Sequence, residues 1–315
     1  PKLIGIDGCP GGWFAITLNT ETRDLNAEIV HNLTDFIVRT SPQIVAIDIP
    51  IGLTDSGPRK CDVQARKLLQ TRSSCVFSAP IRPALSARTR NDADSISRAI
   101  QGKGVAAQAF GIYRKVEEVD ILLQTHPHLR SSIFEIHPEL SFRAWNNHQT
   151  ILHPKKSLSG HQARLSLVDQ VYGSNPFFEY RRTHFKKQLA DDDILDAFAA
   201  LWSAERIFKN IHDCCPNPPE QDSTGLPMTI NFNKVAAPNK GRTAKERRRI
   251  GRYLLLENVE TGFGSTPPDG ITTGSLLHFI TTHLVPVELS RSNPSTNSDM
   301  SFELKEFRPN QTLPS

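Results

Sequence analysis

The sequence predicts an α/β protein: a mixed sheet flanked by helices, with a helical insertion and a largely disordered C-terminal tail. Three observations carry this prediction. Residues 2–30 hold three short apolar runs separated by turn residues, the pattern of an antiparallel meander. A fourth apolar run, residues 43–49, follows a short helical stretch. Late in the chain, DDDILDAFAALWSAERIF has the acidic start and apolar spacing of a long amphipathic helix.

The first element is KLIGIDGCPGGWFAI, residues 2–16, read as strand, tight turn and strand. Leu3, Ile4 and Ile6 form a run of strand length, which Gly8, Pro10, Gly11 and Gly12 stop, because glycine reaches backbone angles closed to other residues. Asp7 therefore stands where a buried strand meets an open turn. A polar turn at 19–24 leads to a third strand over 26–30, a helix over 34–40 and a strand over 43–49. In that strand, Asp48 repeats the setting of Asp7, since Pro50 and Gly52 follow at once.

From about 53 to 130 the pattern changes to an insertion of helices and loops. One helix is expected over 59–70, with Arg59, Lys60, Arg66, Lys67, Arg72 and Arg82 around it, and one long helix over 105–124. Residues 132–139, SIFEIHPE, read as a strand with Glu135, His137 and Glu139 on one side. Lys155, Lys156, Gly160, His161 and Arg164 follow on a loop and the start of a helix. In the late helix Asp191–Asp193 cap the start, and Asp193 and Asp196 share a face. Residues 223–232 close the ordered domain, expected to span 1–232. The tail, 233–315, opens with a basic segment at 234–252, where Thr243 and Glu246 make a capping box, and carries one short helix over 276–284.

Composition narrows the class further. Of 315 residues 38% are hydrophobic, the net charge is +4 and the pI is about 8.8, a mild basic excess that permits a polyanionic partner. Five cysteines without a Cys-x-x-Cys pair predict reduced thiols, with Cys214 and Cys215 in a turn. Lys2 leads straight into a strand and no apolar run approaches the roughly 20 residues of a membrane span, so a cytoplasmic protein without a leader or membrane partner is expected. A Walker A loop, a dinucleotide fingerprint and a Gly-x-Ser-x-Gly elbow are absent. His126, His128, His148 and His153 do not have the pairing of a structural zinc site.

Acids thus stand at the end of the first strand, the end of the fourth and the start of the late helix, an order that resembles the ribonuclease H-like superfamily. Asp193-x-x-Asp196-Ala-Phe-Ala resembles the last acidic motif of the Holliday-junction resolvases of that superfamily. More narrowly, GIDGCPGGW, AIDIPIGL, Arg59-x-Cys61-Asp62, VFSAPIR, EIHPELSF, the Lys155-Lys156 loop with Gly160 and Arg164, DDDILDA and GLPMTI resemble, in order, domain of unknown function family 429 over about 2–232. Ser78 departs from that pattern, in which a proline is expected. The family is described as predicted nucleases, so the resemblance implies phosphodiester hydrolysis of nucleic acid.

Such chemistry needs hard divalent ions, Mg²⁺ or Mn²⁺, for which Asp7, Asp48 and Asp193 are the candidate ligands. Asp196, Glu135, Glu139 and His137 complete the candidate catalytic set. Arg59, Arg66, Arg82, Lys155, Lys156 and Arg164 are the candidate substrate-binding residues. Plainer readings stand beside these: Asp193 as a helix cap, Asp196 as a surface acid, Asp48 as a turn acceptor, His137 and Glu139 as a hydrogen-bonded network, the bases as a solvated helical face. Two other functions also stay open, an actin-like or sugar-kinase-like nucleotide-binding protein using the first glycine turn, and a non-catalytic nucleic-acid-binding protein using 234–252.

Overall fold

The structure, a computed structural model, describes residues 1–233. The basic segment, its capping box and the helix expected over 276–284 lie outside the described residues. The meander forms as expected: β1 (Lys2–Cys9), β2 (Gly12–Asn19) and β3 (Leu25–Val30) pair antiparallel in sequence order. Helix α1 (Leu33–Thr40) begins where Asn32 accepts a hydrogen bond from the Asp35 amide at 3.1 Å. It leads to β4 (Ile44–Ile47), which lies parallel to β1 on the side away from β2.

The insertion is divided more finely than its periodicity suggested. It holds α2 (Lys60–Leu69), α3 (Arg90–Gln101), α4 (Ala107–Gly111) and α5 (Tyr113–Thr125). The single helix expected over 105–124 is broken at Ile112, where α4 and α5 meet. Next, β5 (Ile133–Glu135) adds to β4 in parallel and completes a mixed five-stranded sheet of order β3-β2-β1-β4-β5.

The strand expected over 132–139 ends at Glu135, because Pro138 has no amide to donate to a ladder and suits the first turn of a helix. That helix is α6 (Pro138–Trp145), with His137 as its cap. Glu135, His137 and Glu139 therefore do not share a strand face.

Helices α7 (Leu158–Tyr172), α8 (Asn175–Thr183) and α9 (Asp191–Phe208) follow, and a hairpin of β6 (His212–Gln221) with β7 (Pro227–Asn233) closes the described chain. Cys214 and Cys215, expected in a turn, pair with Asn231 and Ile230 inside that hairpin. The prolines of CCPNPPEQ hide β6 from a sequence reading, and the ladder is irregular between Cys215 and Glu220 where they sit.

Alternation along the strands creates two cores. Ile4, Ile6, Trp13, Ala15, Val45 and Ile47 face α1 and α5, while Leu3, Phe14, Ile16, Leu18, Ile44 and Ala46 face α6 to α9. Burying each of the Leu, Ile, Val and Phe side chains among these contributes about 1.5–3 kcal/mol, which makes the register of β1 hard to slip. Helix α9 lies closest: a Cβ on Gly5 would come within 2.1 Å of the Leu201 nitrogen and 2.4 Å of the Ala197 oxygen. Glycine at 5 is thus the condition for α9 to rest on the middle of β1. Among the described residues, no helix is long and apolar enough to cross a membrane.

Candidate functional site

The same alternation places the acids. Leu3 and Gly5 lie under α9, so Asp7, two residues on, projects to that side of the sheet. Asp48 continues β4 past Ile44 and Ala46, and its amide donates to the Ile6 carbonyl at 3.0 Å. Two carboxylates thus emerge side by side at the carboxyl ends of neighbouring parallel strands, where open α/β sheets form their binding crevices. The first turn of α9 brings Asp193, and Asp196 lies one turn deeper. All four line one cleft of about 490 Å³.

Asp7 and Asp196 are 6% and 4% exposed, so these charges are held out of water. Burial raises the Asp7 carboxyl well above the usual carboxylate range, and Asp196, Asp48 and Asp193 push it the same way. Asp48 is raised to about 8 by burial and then by Asp196. Asp193 is raised to about 6, mainly by burial. Burial raises Asp196 too, with Lys155 opposing. The Lys155 ammonium lies 2.7 Å from Asp196 and 3.1 Å from Asp192; burial alone would lower it, but Asp196 and Asp7 overcome that and raise it. Were all four ionised, they would outnumber the Lys155 ammonium paired with Asp196 and the Lys115 ammonium that also lines the cleft, a surplus that a hard cation would neutralise with oxygen ligands.

Asp193 also does what its plainer reading holds. Its Oδ2 accepts from the Ala190 amide at 2.9 Å, capping α9, while the residue still lines the cleft. Asp196 is no surface acid, being the more enclosed of the pair.

Glu135, His137 and Glu139 line the same cleft, yet their polar atoms are already engaged. Arg59 donates to both Glu135 oxygens at 2.7 and 2.8 Å and to Asp62 at 2.6 Å, and Glu135 also accepts from the Ile51 amide. Burial raises Glu135 to about 7 in spite of Arg59. Arg164 donates to both Glu139 oxygens at 2.7 Å. His137 accepts from the Glu139 amide through Nδ1, and its Nε2 lies 3.3 Å from the Cys75 carbonyl, while burial lowers its pKa. These contacts are those of a supporting network beside the acids.

Cys61, Asp62 and Glu135 form a buried group whose ligand atoms lie within 4.8 Å of one another, close enough to hold a metal ion. The Arg59 guanidinium competes for that place, and burial pushes the Cys61 thiol up, away from the thiolate a metal needs.

The candidate substrate-binding residues separate. Lys155, Lys156 and Arg59 line the cleft, whereas Arg66, Arg82 and Arg164 are not among its lining residues. Arg66 holds the Val76 carbonyl and Ser78, Arg82 holds Asp120 and Asp222, and Arg164 is fully enclosed under Glu139. Lys115 and Arg72 line the cleft as well. Lys115 donates to the Gly12 carbonyl, and its ammonium lies 4.6 Å from the Trp13 ring centre. No local signal in the sequence marks Lys115, which reaches the site only because α5 packs beneath β1 and β2.

A mixed sheet in this order, flanked by helices and carrying acids on β1, after β4 and at the head of α9, defines an α/β protein of ribonuclease H-like fold. The family model described as "Protein of unknown function (DUF429)" matches residues 5–221, and the chain belongs to that family. No curated protein and no solved structure matches the chain.

Proposed function

We propose that this protein is a divalent-metal-dependent nuclease or phosphodiesterase acting on nucleic acid. One observation carries the reading: Asp7, Asp48, Asp193 and Asp196 gather in one cleft with raised pKa values and a single ion-paired lysine. Mg²⁺ or Mn²⁺ bound there would supply an activated water and stabilise the leaving oxygen. Asp7, Asp48 and the open oxygen of Asp193 are the ligands, and Asp196 sets the charge beneath them through Lys155. Lys156, which is exposed at the rim, and Lys155 attract the phosphate backbone. Glu139, His137 and Glu135 orient the walls.

The test is cleavage of branched, single-stranded and hybrid substrates with Mg²⁺ or Mn²⁺. Asp7→Asn should lose about 10²-fold or more, since support around a metal ligand alone is worth about 10–100-fold. Equal, metal-independent cleavage by both proteins overturns the proposal.

The nucleotide-binding alternative draws on the glycine turn between β1 and β2. There the Gly11 amide donates to the Gln188 carbonyl at 2.8 Å, so this donor is engaged within the fold and does not favour a phosphate there.

A further inference from the structure

After α2 the chain runs through a 3-10 turn, Gln70–Cys75, into Val76 and Phe77, and this segment supplies Arg72, Cys75, Val76 and Phe77 to the cleft wall. Two of its side chains are not accounted for by packing. Arg72 is 16% exposed, reaches Glu139 only at 3.3 Å, and keeps a buried Nε with no partner among the described residues. Glu139 has little need of it, because Arg164 already donates to both of its oxygens at 2.7 Å. Arg72 therefore brings to the cleft wall a guanidinium that Glu139 holds only loosely and whose charge suits a phosphate.

Phe77 is 52% exposed and lines both the cleft and an adjoining cavity of about 280 Å³, walled by Ile81, Val105, Ala109 and Tyr113. An aromatic ring left half in water between two hollows has a free face for a flat apolar partner.

We infer that the segment 72–77 binds one nucleotide unit of a single strand, with Arg72 on a phosphate and Phe77 stacked on an unpaired base that reaches into the second cavity. The inference rests on the nuclease reading and names its substrate class. In a closed duplex each base face is covered by its neighbour, so Phe77 would have nothing to stack on, whereas base-aromatic stacking is the common device for single strands.

Fluorescence anisotropy with the full chain in EDTA tests this, using a labelled 12-mer as a single strand and as a duplex of the same sequence. The single strand should bind more tightly. Phe77→Ala should lose about tenfold on the single strand and less than about twofold on the duplex, while Phe77→Trp retains binding. Arg72→Gln should lower the slope of log affinity against log salt by about one phosphate contact, with Arg72→Lys restoring it. Thermal melts matching wild type show that Phe77→Ala is folded. Single-strand binding unchanged by Phe77→Ala, or lost equally on both substrates, overturns the inference. Metal-dependent cleavage abolished by Asp7→Asn but indifferent to Phe77 sinks this inference and leaves the nuclease reading standing. Phe77-dependent binding without any cleavage does the reverse.

Discussion

Two buried groups of acids lie along one cleft and differ in how their charge is balanced. Around Arg59, two carboxylates share one guanidinium through short hydrogen bonds, and an amide completes the set. Around Asp7, carboxylates from β1, the end of β4 and α9 face one another with Lys155 as their ion-paired partner. The first group is satisfied within the fold and therefore reads as architecture. The second stays short of positive charge, so its ionised form waits on something from outside. Burial alone does not single out a candidate site; the missing counter-charge does.

The largest effect should come from breaking the satisfied group. Arg59→Leu strands Glu135 and Asp62 in a buried place, and the expected loss is about 3–5 kcal/mol in urea unfolding, as for other buried pairs deprived of one partner. Asp7→Asn, which removes repulsion instead, should leave the metal-free protein as stable as wild type or more so. Two variants destabilised alike would erase the contrast.

A pH-dependent effect, at most comparable in size, follows from Asp48. Its folded pKa of about 8 lies above the unfolded value near 3.8, so the folded state holds the extra proton between those values. Its contribution is fully present below about pH 4 and is lost as pH rises toward 8, at most about 1.4 kcal/mol per pH unit. Metal-free wild type should thus fall in stability relative to Asp48→Asn as pH rises from 5 to 8, and Mg²⁺ or Mn²⁺ should raise the melting temperature more at pH 8 than at pH 5. A difference that stays flat across that range contradicts the raised pKa that burial, and then Asp196, gives Asp48.

The smallest effect separates the two places a metal could sit. Cys61→Ser should change Mn²⁺ affinity by calorimetry less than about twofold, whereas Asp48→Asn should weaken it at least about tenfold. The reverse ranking would move the metal to the Cys61, Asp62 and Glu135 group.

Much of this was legible in the chain. The meander, the Asp7 and Asp48 settings and the whole of α9 follow from local patterns, since apolar runs, glycine turns and an acidic helix start act within a few residues. The errors have two sources, a local proline signal outweighed by an alternating pattern and contacts distant in the sequence. SIFEIHPE read as one alternating strand, but Pro138 and the cap at His137 turned its second half into a helix and spent Glu139 on Arg164. Arg66, Arg82 and Arg164 looked like a basic surface, yet Val76, Asp120, Asp222 and Glu139 take up their donors.

By itself, the sequence determined that candidate acids stand at the ends of β1 and β4 and at the head of α9, because strand alternation and helix periodicity are short-range and survive any arrangement of the elements. Only the tertiary structure decided that Asp7, Asp48 and Asp196 share one cleft, that Arg59 neutralises Glu135, and that Lys115, Arg72 and Phe77 belong to the wall. Charge balance is a property of distance, and the distances were set by Gly5 admitting α9 onto β1.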